Sequence, residues 1–248
     1  MGESSHIEWT HTTWNPVTGC TKVSLGCKHC YAERMAHRLQ MMGQQKYQSG
    51  FAVTLHHDVL ELPLKWRKPR LVFVNSMGDL FHDSIPFSFI EKVFEIMASS
   101  HHHTFQVLTK RSKRLAELAP RLPWPDNIWV GVTVESAQYV SRIADLQTVN
   151  ANVRFLSVEP LLGPIPELPL NGIDWVIVGG ESGPCARPLE ASWVRQIRDQ
   201  CMMLGVPFFF KQWGGRNRRD QGRVLDGRVW SEMPSHSTPK LYQLTLSV

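Results

Sequence analysis

The chain has 248 residues, of which 42% are hydrophobic and 20% charged, with a formal net charge of +5. That length suits one large α/β domain or at most two small ones, and the composition supports a sizeable core and excludes a disordered chain. No stretch reaches the roughly 20 apolar residues of a membrane span, and the opening Met1-Gly2-Glu3-Ser4-Ser5-His6 lacks a signal-peptide core, so a cytoplasmic protein without membrane association is expected.

In chain order, the first feature is a loop reading Trp14-Asn15-Pro16-Val17-Thr18-Gly19-Cys20, then Thr21-Lys22-Val23-Ser24-Leu25-Gly26-Cys27-Lys28-His29-Cys30. A helical run from about Tyr31 to Met42 follows. Further on, short β-branched or aromatic runs alternate with amphipathic stretches. The candidate strands are Leu71 to Asn75, Phe105 to Thr109, Ile128 to Val134, Val153 to Val158, Trp175 to Val178 and Pro207 to Phe210. Candidate helices include Phe87 to Ser99, with Phe89, Ile90, Val93, Phe94 and Met97 apolar, and Ser192 to Leu204, with Val194, Ile197 and Cys201 on one face. This alternation describes a parallel sheet of βαβ units. Near the end lies a basic run, Arg216, Arg218, Arg219, Arg223 and Arg228, which reads most simply as a solvated loop.

The apolar runs finish in polar or glycine residues: Asn75-Ser76-Met77-Gly78-Asp79, Thr109-Lys110-Arg111, Thr133-Val134-Glu135-Ser136, Ser157-Val158-Glu159-Pro160 and Gly179-Gly180-Glu181-Ser182-Gly183. In parallel α/β folds these C-terminal strand ends share one face, and that face carries the site. Helix capping is the alternative use for about half of these groups.

Cys20, Cys27 and Cys30 form a C-x6-C-x2-C arrangement in the glycine-punctuated loop. Clustered cysteines in a cytosolic chain point to metal or redox work, and soft thiolates select iron–sulfur clusters, zinc or copper. A closed zinc site wants four ligands, which His29 or His37 would complete. Ordinary 4Fe–4S clusters are held by four cysteines, so three leave one iron open to an exogenous ligand. Cys201, on an apolar helical face, reads as core.

The cysteine loop followed by βα units resembles the radical S-adenosylmethionine (SAM) superfamily. More closely, the chain resembles a phage-associated radical-SAM-like family from Ile7-Glu8-Trp9-Thr10 through Phe208-Phe209-Phe210-Lys211-Gln212-Trp213-Gly214. The superfamily's usual spacing is C-x3-C-x2-C, so the first gap here is longer, and His29 stands where an aromatic residue is common. The resemblance implies a partial (β/α)6 TIM-type barrel over residues 1–215, with a short first strand around Ile7 to Trp9 and a basic C-terminal extension, 216–248, on or beside it. It implies a 4Fe–4S cluster on Cys20, Cys27 and Cys30 that reductively cleaves SAM to a 5′-deoxyadenosyl radical. Ser76, Gly78 and Asp79 take the place of the superfamily's Gly-Gly-Glu at the SAM amino group. Lys110 would meet the SAM carboxylate, and the Thr109-Lys110 pair resembles the spore photoproduct lyase group. Thr133 and Glu135 would hold ribose hydroxyls, and Glu159 and Glu181 either SAM or substrate. Cys185 is a hydrogen-atom donor candidate by the same likeness, with a free surface thiol as the simpler reading.

Arg187 and Arg195, with Lys211 and Trp213, interleave basic and aromatic residues as a flipped or single-stranded nucleotide requires. A nucleic-acid base or DNA lesion, as in repair, is therefore the leading substrate class, and core packing the competing use of the tryptophans. A flavodoxin- or ferredoxin-type electron donor follows from the chemistry. Two other classes stay open: a zinc-binding interaction module, and a nucleic-acid-binding module with a structural iron–sulfur cluster.

Overall fold

Seven short runs rich in β-branched and aromatic residues form strands that pair in parallel, each with its successor in sequence. The computed structural model describes residues 7–216 and 222–235. β1 (Thr12–Trp14), β2 (Leu71–Val74), β3 (Thr104–Thr109), β4 (Ile128–Thr133), β5 (Arg154–Val158), β6 (Trp175–Gly179) and β7 (Phe208–Gln212) make one curled sheet, a half-barrel of the partial TIM type. Between them run α1 (Tyr31–Met41), α2 (Phe87–Ser99), α3 (Ser112–Leu118), α4 (Arg142–Gln147) and α5 (Ala191–Leu204). β5 and β6 are joined by a non-helical loop that buries Leu161, Ile165, Leu168 and Leu170.

The first strand lies at Thr12–Trp14 and not at Ile7 to Trp9. Thr12, Thr13 and Trp14 pair with Val72, Phe73 and Val74, whereas residues just before them turn and send the Trp9 ring under the sheet. Thr10 Oγ1 and the His11 N–H both donate to the Leu71 carbonyl, at 3.0 Å each, which fixes the entry into β1.

Strand alternation divides the core in two. Val72, Val107, Val130, Val132, Leu156, Val176 and Phe208 face the helices and join the larger cluster. Trp129, Phe155, Trp175, Ile177 and Phe209 point the other way and meet Trp9 inside the curl. The rings pack edge to face, with Trp175 at 6.1 Å from Trp9, 6.2 Å from Trp129 and 5.9 Å from Phe209. They plug the half-barrel at the N-terminal ends of its strands. The helices earn their place by amphipathic spacing: in α2, Phe89, Ile90, Val93, Phe94 and Met97 are buried together, each such side chain contributing roughly 1.5–3 kcal/mol. Truncating Phe94, which touches Phe81 and Trp124, would open the α2 seam.

Past β7, a hairpin of Val224–Leu225 with Arg228–Val229 packs against the sheet and α5. Leu225 and Trp230 join the larger core, and the Trp175 Nε1–H donates to the Glu232 carbonyl at 2.8 Å. Of the basic run, Arg218 and Arg219 lie outside the described residues. Among the described residues, no helix is long and apolar enough to cross a membrane.

Candidate functional site

The cysteine loop leaves β1 and crosses the C-terminal ends of the strands, where backbone contacts hold it. The Val17 N–H donates to Asn75 Oδ1 at 3.1 Å, the Gly19 N–H to the Met77 carbonyl at 2.9 Å, and the Cys20 N–H to the Phe51 carbonyl at 3.3 Å. Gly19 and Gly78 form an isolated parallel bridge, and a Cβ on Gly78 would stand 3.0 Å from the Gly19 oxygen. Gly78 therefore lets the loop approach the β2 turn. Ser76 Oγ and the Met77 N–H both donate to Asn15 Oδ1, which ties the same turn to the start of the loop.

Cys20, Cys27 and Cys30 are free, half-buried thiols. Cys30 is the N-cap of α1. Ala32 and Ala36, one turn apart, let that helix lie close over Met77. Ser24 Oγ lies 3.5 Å from Cys27 Sγ. The guanidinium of Arg111 reaches Cys20, with Nη1 at 3.8 Å from Sγ and Nη2 donating to Thr21 Oγ1 at 2.8 Å. Burial pushes the Cys20 thiol up to about 12, with Asp79 adding to the effect and Arg111 opposing it. Cys201 is on the buried face of α5, in the core.

The strand-end acids gather under this loop, each with cationic or hydrogen-bonding partners. Glu135 has no exposed surface; Ser24 Oγ donates to Oε1, Arg142 Nη1 donates to Oε2 at 2.8 Å, and the Lys110 ammonium lies 3.7 Å from Oε1. A Cβ on Gly26 would fall 2.6 Å from Glu135 Oε1, so the loop can lie this low only with glycine there. Thr133, beside it, is buried, and its carbonyl accepts from Arg142 at 2.7 Å. Asp79 accepts from the Phe81 N–H at 3.0 Å, Thr109 Oγ1 at 2.7 Å and the Lys110 N–H at 3.1 Å, a turn-capping use of the carboxylate. Glu159 takes a 2.6 Å hydrogen bond from Lys211 Nζ.

Glu181 is met by Arg187, with Nη2 at 2.6 Å from Oε1 and Nε at 2.9 Å from Oε2, and by His29 Nδ1 at 3.1 Å. Burial alone would raise its carboxyl, but the Arg187 side-chain and backbone donors and His29 outweigh that and hold it at about 2. Arg187 Nη1 and Nη2 also donate to the Leu25 carbonyl at 3.1 Å, clamping the loop from its far side. Sequence reasoning did not single out Arg111, Arg142 or Ser24, which complete the support.

Arg195 and Trp213 serve the C-terminal hairpin. Arg195 pairs with Asp226 at 2.8 Å, and Trp213 Nε1 donates to the Val224 carbonyl while its ring packs on Phe210. Two cavities flank the cysteine loop. One of about 410 Å³ is lined by Val23, Lys110, Arg111, Lys113, Arg114 and Arg142, among others. Its basic lining is offset by Asp83, Glu117 and Asp145. Lys113 is exposed, with no ion-pair partner among the described residues. The other, of about 200 Å³, is lined by the exposed Cys185 and by Cys30, together with His29 and Arg34.

A family model described as a protein of unknown function (DUF5131) matches residues 4–234. The chain belongs to this family. No curated protein matches it in sequence. Among solved structures, a spore photoproduct lyase mutant with bound AdoMet and dinucleoside spore photoproduct aligns with a TM-score of 0.51 and 11% identity, over 81% of this chain and 63% of the lyase. A second lyase mutant aligns with a TM-score of 0.50 and 14% identity, over 72% of this chain and 58% of the lyase. The lyase complexed with dinucleoside spore photoproduct gives 0.50 and 11%, over 81% and 63%. This DUF5131 chain thus spans less than two thirds of the lyase's length, and what they share is the half-barrel fold.

Three soft thiols on a loop laced to the strand ends are the ligand type a 4Fe–4S cluster uses, and three would leave one iron without a cysteine, but among the described residues no three His, Cys, Asp or Glu side chains are grouped to hold a metal ion. A single zinc ion fits less well. It needs a fourth ligand, and His29 already engages Glu181.

Proposed function

We propose that the protein is a radical SAM enzyme whose 4Fe–4S cluster is held by Cys20, Cys27 and Cys30. The observation that carries this reading is a three-thiol loop seated on the mouth of a half-barrel and supported from beneath by ion pairs at the strand ends. When bound, the cluster supplies one electron that cleaves SAM to methionine and a 5′-deoxyadenosyl radical; the protein's own residues do the holding and positioning. Lys110, half-buried and loosely held at 3.7 Å from Glu135, is the candidate cation for the SAM carboxylate. Ser76, Gly78 and Asp79 flank the amino end, Asp79 acting through its grip on the Lys110 backbone. Thr133 is assigned to the ribose side. Glu135, fully enclosed, holds Ser24 and Arg142 and lies near Lys110, and Glu159 and Glu181 shape the mouth through Lys211 and Arg187.

A nucleic-acid base or lesion is the proposed substrate class. The support for it is the basic-lined cavity beside the cluster loop, the exposed Lys113 and the net charge of +5. Cys185 is kept as a hydrogen-atom donor because it lines the same cavity as Cys30; C185A turning over substrate at the wild-type rate to the same product would remove it from that role. Reducing equivalents are assigned to a flavodoxin- or ferredoxin-type donor.

Anaerobic reconstitution with iron and sulfide, then dithionite reduction and EPR with and without SAM, tests the class. The expected result is a reduced-cluster signal that changes on SAM addition, with the cluster lost in C27A. Zinc in place of iron, or a signal indifferent to SAM, contradicts the proposal.

A further inference from the structure

We infer that Arg111 tunes the reduction potential of the cluster from the Cys20 corner, a positioning and electrostatic role that rests on the cluster reading above. Three arginines support the cysteine loop, and they do so differently. Arg142 and Arg187 each have a carboxylate in close contact, Glu135 at 2.8 Å and Glu181 at 2.6 Å, so their charge is largely neutralised before it reaches the loop. Arg111 has no such partner. Its nearest acids are Asp83 at 3.8 Å, on a side chain 80% exposed, and Asp79 at 4.0 Å, already occupied by Thr109 and two backbone donors. Its Nε is buried without a hydrogen-bond partner.

What Arg111 does address is the thiol end of the loop. The side chain is only 6% exposed, Nη1 points at Cys20 Sγ, and Nη2 is held on Thr21 Oγ1 at 2.8 Å and the Thr21 carbonyl at 3.5 Å. Thr21 Oγ1 is held in turn by His82 Nε2 at 2.9 Å. The guanidinium is therefore held by a side-chain network at hydrogen-bond distance, with the Asp83 and Asp79 carboxylates farther off at 3.8 and 4.0 Å. By contrast, the neighbour of Cys27 Sγ is the neutral hydroxyl of Ser24.

The physical consequence has a definite sign. Reduction adds negative charge to a cluster already made anionic by three thiolates. A buried, weakly compensated cation hydrogen-bonded to one of those sulfurs stabilises the reduced state more than the oxidised one. Arg111 thus makes the cluster easier to reduce.

The test is an EPR-monitored redox titration of the full chain, reconstituted anaerobically, as wild type, R111Q, R111K and T21V, with iron and sulfide content measured for each. R111Q is expected to titrate at a more negative midpoint than wild type. R111K, which keeps the charge but not the paired donors, and T21V, which removes the oriented hydroxyl, are expected between the two. R111Q carrying a full cluster at the wild-type midpoint overturns the inference and leaves the cluster reading intact. If R111Q assembles no cluster, R111K and T21V decide: negative shifts in both support the role, and wild-type midpoints in both overturn it. A wild-type chain that takes up no iron and sulfide overturns the cluster reading and this inference together.

Discussion

At the N-terminal ends of the strands the inner face of the sheet is filled by Trp129, Phe155, Trp175 and Phe209 around Trp9, while at the C-terminal ends the same face carries Thr133, Ser157 and Lys211. The floor is held by apolar burial and edge-to-face rings, which need the right volume but little direction. The mouth is held by charges, each costly to bury unless matched, and Glu135, Glu159 and Glu181 are matched by Arg142, Lys211 and Arg187. Stability concentrated in the floor leaves the mouth free to be shaped by pairings that hold the cysteine loop.

That division predicts different costs at the two ends. The largest stability effect belongs to the floor: W175A removes a fully buried ring with aromatic contacts to Trp9, Trp129, Phe155 and Phe209, and denaturant unfolding should show a loss of roughly 3–5 kcal/mol. A loss below about 1 kcal/mol would show that the plug does not carry the fold.

At the mouth, E181Q should cost roughly 3 kcal/mol at neutral pH, with a characteristic pH signature. The carboxyl is lowered from 4.5 to about 2 in the fold, so its contribution is fully present above the unfolded value and is lost as pH falls from 4.5 toward 2. The acid limb of the stability curve should therefore be shallower in E181Q, and the two proteins should converge near pH 2. Parallel curves would mean that Glu181 is not held by Arg187 and His29 in solution.

G26A is expected to cost about 2 kcal/mol, because its methyl would fall within 2.6 Å of the Glu135 carboxylate, and to lower iron incorporation as the loop lifts. Normal iron content in G26A would separate loop height from cluster assembly. The smallest stability effect, within about 0.5 kcal/mol, is expected for K113E, an exposed residue with no ion-pair partner among the described residues. Its readout is oligonucleotide affinity: a several-fold loss, with the salt dependence reduced by about 1 to 2 in slope, marks Lys113 as a phosphate contact. Unchanged binding would move any nucleic acid off this cavity.

The floor was the more legible end in the sequence. Apolar runs such as Trp175 to Val178 and Ile128 to Val134 are bounded by turn residues and can be buried only as strands, and Phe87–Ser99 shows its helical spacing to the residue. β1 escaped because Thr12–Trp14 is too short to show a period, and the aromatic Trp9 just before it imitated a strand. α3 starts inside Lys110-Arg111-Ser112-Lys113-Arg114, a basic run whose charge hides a helix burying little beyond Ser112 and Leu115. At the mouth, the spacing of Cys20, Cys27 and Cys30 announced the loop, and the polar strand ends announced its neighbours. Their partnerships did not show, because Arg111 meets Thr21 across 90 residues and His29 meets Glu181 across 152. Only the curled sheet brings those groups together.

The central claim is that this mouth supports reductive cleavage of SAM. Its most direct test is 5′-deoxyadenosine formation by the reconstituted, dithionite-reduced protein incubated anaerobically with SAM, alongside C20A, C27A and C30A. The account predicts 5′-deoxyadenosine and methionine in equal amounts from the wild type and none from any of the three variants. A wild type with a full cluster that forms no 5′-deoxyadenosine, or a cysteine variant that forms as much as wild type, would contradict it.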